Sequence, residues 1–331
     1  MSHSVEPIKN KTNLYGKSSD TEEWLDIVFT RPIGLMWAKF FNLFGTHPNV
    51  ITVLSILLGI ASACFFYYDA DTENGLVYNI IGVFLLMWAN FYDSADGQLA
   101  RMTGKKSQLG RILDGSAGDI WFFCIYLAVL LRIARHFDYT DAVGYVCLSV
   151  LFCVMAVNGF YFHARQCALA DYYRNIHLFF VKGQTGCELD NSVQQQQIYD
   201  KASWRKDFIW KFFLWFYVRY TRTQEHLTPQ FQRLIQTIRS NYGNSIPQVF
   251  RDEFRSESLP LMKWTNILTF NTRAIALYIS CLIDLPWLYI AFEIVVMNAI
   301  FIYMRYRHES MCRHFADKIE NDIHQKIEHQ Y

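Results

Sequence analysis

Two long apolar runs converge on one short stretch, DSADGQLARMTGKKSQLGRILDGSAGD, between Asp93 and Asp119. It holds four carboxylates, a basic loop and several glycines. Acids next to a membrane-length apolar run are costly to bury, so they mark function. Asp93, Asp96, Gly97, Ala100 and Arg101 stand at i, i+3, i+4, i+7 and i+8, which places all five along one helix face. Met102 to Lys106, with Gly104, reads as a turn, and a second helix then carries Gly110, Asp114 and Asp119. Helices joined by a short turn pack antiparallel, so the two sets of acids are expected to face each other. Gathered carboxylates repel unless cations sit among them. All-oxygen ligands suit Mg²⁺, Mn²⁺ or Ca²⁺ over a thiolate-seeking metal.

Asp93-x2-Asp96-Gly97-x2-Ala100-Arg101-x8-Gly110-x3-Asp114 resembles the signature of the CDP-alcohol phosphotransferases. The Arg-Pro segment at Arg31-Pro32 and the turn Thr46-His47-Pro48-Asn49 are also similar to the way that family approaches its first span. The resemblance departs at the family's last aspartate, which should follow Asp114 by four residues. Position 118 is Gly118, and the acid comes one later as Asp119. At about 100° per residue, i+5 falls ~140° from Asp114. A one-residue π-bulge near Gly115 and Gly118 is expected to turn Asp119 back.

The resemblance implies transfer of a phosphatidyl-type group from a CDP-linked donor to an alcohol, with release of CMP. It implies two divalent ions, Mg²⁺ or Mn²⁺, held by Asp93, Asp96 and Asp114, with Asp119 as a further ligand and general base. Gly97, Ala100, Arg101 and Gly110 would receive the CDP moiety. A catalytically inactive CDP-lipid-binding relative and a transporter are the other readings. A transporter would gather its charges near the bilayer midplane, whereas these acids lie at helix ends.

The rest of the chain fits an all-α membrane protein. Of 331 residues, 52% are hydrophobic and 17% aromatic, yet mean hydropathy is only +0.06 because apolar runs alternate with polar segments. The net charge of +1 argues against nucleic acid as a partner. Eight scattered cysteines without a CxxC pair indicate neither a disulfide framework nor a zinc site. Hydropathy predicts a bundle of six transmembrane helices: Val50–Tyr68, Leu76–Phe91 running into the signature, Gly110–Ile133, Val143–Phe162, Ile267–Ile283 and Pro286–Met304.

A polar tail is expected over 1–23. An interfacial amphipathic helix follows at 24–49, with Asn49 or Thr52 capping the first span. The first four spans and the signature occupy 50–165. A cytoplasmic or interfacial insert fills 166–263, longer than the resemblance explains. Two more spans lie at 264–304 and a C-terminal tail at 305–331. Within the insert, Phe208 to Val218 reads as an interfacial helix and the stretch from Phe231 as a short amphipathic one. Lys105, Lys106, Arg111, Arg305, Arg307, Arg313 and Lys318 put the signature and both termini on the cytoplasmic side; Arg132 and Arg135 run against that orientation.

Arg165, in Phe162-His163-Ala164-Arg165, and Arg273, within an apolar run, are candidates for an acceptor phosphate. They favour a polyol phosphate such as inositol phosphate or glycerol phosphate. The readings left open are an interfacial arginine for Arg165 and a structural ion pair for Arg273. Glu293 reads as a structural acid. The expected partners are a CDP-linked lipid donor such as CDP-diacylglycerol, an alcohol acceptor and membrane lipids; a homodimer is left open.

Overall fold

The structure, a computed structural model, describes residues 20–183, 187–243 and 245–328. Most of the tail expected at 1–23 and the last three residues lie outside the described residues. Helices dominate, with no strand among the described residues. The order is α1 (Arg31–Leu43), α2 (Pro48–Phe66), α3 (Gly75–Thr103), α4 (Gln108–Ala134), α5 (Ala142–Ala156), α6 (Ala164–Lys182), α7 (Ser192–Lys201), α8 (Phe208–Leu227), α9 (Pro229–Tyr242), α10 (Gln248–Ile267), α11 (Phe270–Leu282), α12 (Pro286–Phe292) and α13 (Asn298–Glu328). π-helical turns precede α1 (Asp26–Thr30), join α5 to α6 (Val157–His163) and join α12 to α13 (Glu293–Met297).

Five helical runs among the described residues are long and apolar enough to cross a membrane: Pro48–Phe66, Gly75–Thr103, Gln108–Ala134, Ala142–Lys182 and Pro286–Asn321. Five of the six expected spans are thus among them, and the sixth is not confirmed. The missing span, Ile267–Ile283, folds as α11, only 13 residues long. At 1.5 Å per residue it reaches about 20 Å, short of a hydrocarbon core about 30 Å thick. Its start is polar, with Asn271 Nδ2 donating to Glu23 Oε2 at 2.8 Å and to Asp26 Oδ1 at 3.0 Å.

Small residues set the spacing of the bundle. Gly59 of α2 faces Trp121 of α4 so closely that an added Cβ would lie 2.0 Å from the indole. Gly34 and Ala38 form the face that α1 lays on α3; a Cβ on Gly34 would meet Ser94 Oγ at 2.7 Å. Membrane helices associate through such small-residue contacts because lipid supplies no hydrophobic drive between them. On α1, Met36, Phe40 and Leu43 are exposed, whereas Trp37 and Phe41 pack toward α3 against Tyr92. His47, not Asn49 or Thr52, caps α2: its Nδ1 accepts from Asn49 N at 3.2 Å.

One end of the bundle is tied by Arg132. Its side chain is fully buried and lies 3.3 Å from Asp69. It also pairs with Asp284 and donates to Asn79 Oδ1 at 2.9 Å and to the carbonyls of Phe66 and Cys281, each at 3.2 Å. Asp284 holds a left-handed backbone, φ 57°, and its carboxylate also accepts from Ala70 N at 2.9 Å. Arg135 lies 2.6 Å from Asp69. The two arginines that ran against the charge rule are thus matched by acids at their own end.

The insert is folded. Phe231, Leu234, Ile235 and Ile238 bury the apolar stripe of α9 in a core shared with α6, α10 and α13. The run from Phe208 extends to a 20-residue helix, α8, whose second half packs inward through Leu214, Val218, Thr221 and Gln224.

Removing one partner of a buried ion pair costs about 3–5 kcal/mol. Asp69→Ala is therefore expected to lower the thermal unfolding midpoint of the detergent-purified protein clearly. Burial pushes the Asp69 carboxyl up, but the Arg135 and His136 contacts outweigh it and leave its pKa below the usual 3.8. The sign follows: this stabilisation is complete above pH ~4 and is lost as pH falls through the lower folded value. A midpoint–pH curve in which wild type and variant converge at acid pH would carry that signature.

Candidate functional site

The last three turns of α3 and the first two of α4 form an antiparallel hairpin. α3 stops at Gly104, whose φ of 70° favours a residue without Cβ. Ser107 caps α4 by accepting from Gly110 N at 2.9 Å. Across the hairpin, carboxylate oxygens of Asp93, Asp96 and Asp114 all lie within 4.8 Å of one another. At an effective dielectric near 20, each such pair repels by about 3 kcal/mol. Arg101, whose charge acts on Asp96, offsets only part of this. An all-oxygen set of three acids this close could hold a divalent metal ion of the hard class.

Sequence reasoning missed Thr52. Its hydroxyl, in the second turn of α2, donates to Asp96 Oδ2 and fixes that buried carboxylate. The signal was faint: Thr52 stands four residues after Pro48, on the helix face that also carries the buried Ser55. Asn49 was also missed in its role. A Cβ on Gly110 would meet Asn49 Oδ1 at 2.8 Å, so the bare Gly110 backbone serves the α2–α4 contact. At Gly97 a Cβ would meet only Arg101, at 3.4 Å.

The expected π-bulge in α4 is absent. α4 is a regular α-helix from Gln108 to Ala134. Nothing within 4 Å would meet a Cβ on Gly115 or Gly118, so no neighbour forces a distortion there. Asp119 accordingly stands outside the three-acid group. Its carboxylate lies within 4.8 Å of a His163 ring nitrogen and of the Cys167 sulfur, both near the start of α6.

Two of the three π-helical turns among the described residues lie instead at the segments that bring His163 and Glu293 inward. Both side chains meet Arg273. Its guanidinium is wholly buried and lies 2.5 Å from Glu293 Oε2 and 2.8 Å from His163 Nδ1. It also donates to Gln166 Oε1. A guanidinium can only donate, so His163 Nδ1 accepts and the neutral ring carries its proton on Nε2. Tyr126 completes the group, its hydroxyl donating to Glu293 Oε2 at 3.1 Å.

The two acceptor-phosphate candidates have other partners in the structure. Arg273 is enclosed in an ion pair with Glu293 and presents no exposed face. Arg165 turns back along its own helix, donating to Tyr161 O at 3.0 Å with its guanidinium 3.6 Å from that ring. The structure brings neither to the three acids.

Residues 45–181 match the family model for CDP-alcohol phosphatidyltransferase. The matched segment is similar to that family. It spans α2 to α6 and contains every signature residue from Asp93 to Asp119. No curated protein and no solved structure matches the chain. The five apolar helices among the described residues, four of them overlapping the matched segment, indicate a multi-pass membrane protein. The matched segment ends just before α7, so the remainder of the insert and α11 to α13 lie outside it. Arg111 binds that insert to the family segment, pairing with Asp190 at 2.6 Å, and Gln108 donates to Gln195 Oε1 at 2.9 Å.

A structural role for Arg273 and Glu293 has a clear thermodynamic form. Glu293→Met alone should cost about 3–5 kcal/mol, because it strands a buried cation. The double variant Arg273→Met with Glu293→Met should cost much less than either single change. Thermal unfolding of the four proteins in the same detergent completes the cycle.

Proposed function

We propose that this protein transfers a phosphatidyl-type group from a CDP-linked donor, CDP-diacylglycerol, to an alcohol, releasing CMP. The observation that carries the proposal is the three-carboxylate group formed by Asp93, Asp96 and Asp114 across α3 and α4. In this reading those acids hold two divalent ions, Mg²⁺ or Mn²⁺. Bound there, the metal supplies charge neutralisation for the diphosphate and for the departing CMP oxygen. Thr52 aims the Asp96 carboxylate by donating to it. Arg101 pairs with the diphosphate, and Gly97 and Ala100 let that group approach the α3 backbone. Gly110 acts indirectly, by letting Asn49 close against α4.

Asp119 is the proposed base that takes the acceptor hydroxyl's proton, working from the His163 side rather than from within the three-acid group. The acceptor is an alcohol. A phosphorylated polyol draws no support from Arg165 or Arg273 in their observed positions. The exposed Lys105 and Lys106 at the α3–α4 turn support a cytoplasmic site. α1 then lies in the interface on that side, with the insert, 166–263, in water and at the membrane surface. One observation favours a second reading, a CDP-lipid-binding protein without turnover: Asp119 lies apart from the other acids.

Purified protein incubated with CDP-diacylglycerol, Mg²⁺ or Mn²⁺ and a panel of alcohols should release CMP, and EDTA should stop it. Asp114→Asn should lower the rate at least about a hundredfold. Asp119→Asn should lower kcat by about 10²–10⁴ while leaving donor affinity unchanged. Donor binding with no CMP from any acceptor would establish the second reading instead.

A further inference from the structure

The insert carries a surface that the transfer reaction does not use. Between α7 and α8 lies a cavity of about 230 Å³ lined by Gln196, Tyr199, Trp215, Val218, Arg219 and Arg222. Arg219 and Arg222, three residues apart, share one face of α8. Both are exposed, and neither forms an ion pair among the described residues. Other insert arginines do: Arg233 lies 2.8 Å from Asp317, and Arg255 lies 2.9 Å from Asp20. The recorded contacts of the cavity pair are weak. Arg222 donates to Gln196 Oε1 at 3.3 Å, and Arg219 lies 3.9 Å from the Trp215 ring. Nearby acids are engaged elsewhere, Asp200 by Gln196 and Glu225 by Ser192. Most of the ten N–H donors of two guanidiniums are thus left for an anion.

The same helix exposes a large apolar face. Phe208, Ile209, Phe212 and Phe216 are 61%, 64%, 44% and 50% exposed. Contiguous aromatic surface of this kind marks a partner or a membrane. α8 packs directly on α4, a candidate span, so this face is held beside the bilayer. Arg205, Lys206 and Lys211 add positive charge around it.

We infer that α8 lies on the membrane surface with its aromatic face among the acyl chains. The Arg219–Arg222 cavity then binds the headgroup phosphate of an anionic phospholipid. A free soluble anion would gain nothing from the aromatic face, and a chain of net charge +1 is a poor fit for nucleic acid.

Full-length protein in detergent, analysed by native mass spectrometry, should retain phosphatidylglycerol in preference to phosphatidylcholine. Each arginine near the surface contributes about fivefold to anionic-lipid binding. R219Q/R222Q should therefore retain that lipid about 25-fold less, whereas R233Q should match wild type. Equal retention of the two lipids, or unchanged retention by R219Q/R222Q, overturns the inference. So does displacement of the lipid by millimolar inorganic phosphate. Wild-type protein in nanodiscs supplies an arm that needs no variant. Amide exchange over residues 208–222 should be slower with phosphatidylglycerol than with phosphatidylcholine, and equal exchange would refute the assignment. Neither readout depends on CMP release, so this surface and the catalytic proposal stand or fall separately.

Discussion

The cost of placing charge in a low-dielectric helical bundle organises this molecule. Two arginines among the described residues are wholly buried, and each is met by acid: Arg132 by Asp69 and Asp284, Arg273 by Glu293. Around them polar side chains and carbonyls take up the remaining donors. Asp93, Asp96 and Asp114 are different. Three acids share one site with Arg101 at its edge, so negative charge is in excess. A site with that imbalance could hold a hard cation.

The same constraint explains where the helices are irregular. Burying Arg273 requires partners from α6 and from the start of the last long helix. The π-helical turns Val157–His163 and Glu293–Met297 supply them, carrying His163 and Glu293. α4 meets no such demand and remains regular, which leaves Asp119 facing His163 and Cys167. Asp119 and the three acids are thus separate groups on one helix. The Arg273 network sits behind Asp119, where it fixes the tautomer of His163.

Outside the family segment, the chain has built a second layer of helices. Its core joins α9, α10 and α13 to α6, the last helix of the matched segment. Ala142–Lys182 is 41 residues, about 60 Å of helix, roughly twice the hydrocarbon thickness. Such a helix must project into water, and the insert gives that projection something to pack against. Arg111 and Gln108 tie this layer to the start of α4, close to the three acids.

The sequence by itself determined the helical class, the α3–α4 hairpin and the meeting of Asp93, Asp96 and Asp114. Those follow from local periodicity: i, i+3 and i+4 spacing fixes a helix face, and a short turn with glycine fixes an antiparallel partner. It also located the apolar stripe of α9. Tertiary structure alone decided the rest, because it depended on residues far apart in the chain. Hydropathy counted six spans, but the break after α10 and the polar contacts at Asn271 shorten α11. Thr52 could not be matched to Asp96 from spacing, since 44 residues separate them. Arg273 could be read from the sequence as a phosphate ligand or as half of an ion pair, and only the fold places Glu293 beside it. The expected bulge at Gly115 and Gly118 failed for the same reason: glycine permits a distortion, but only a neighbour's packing demands one.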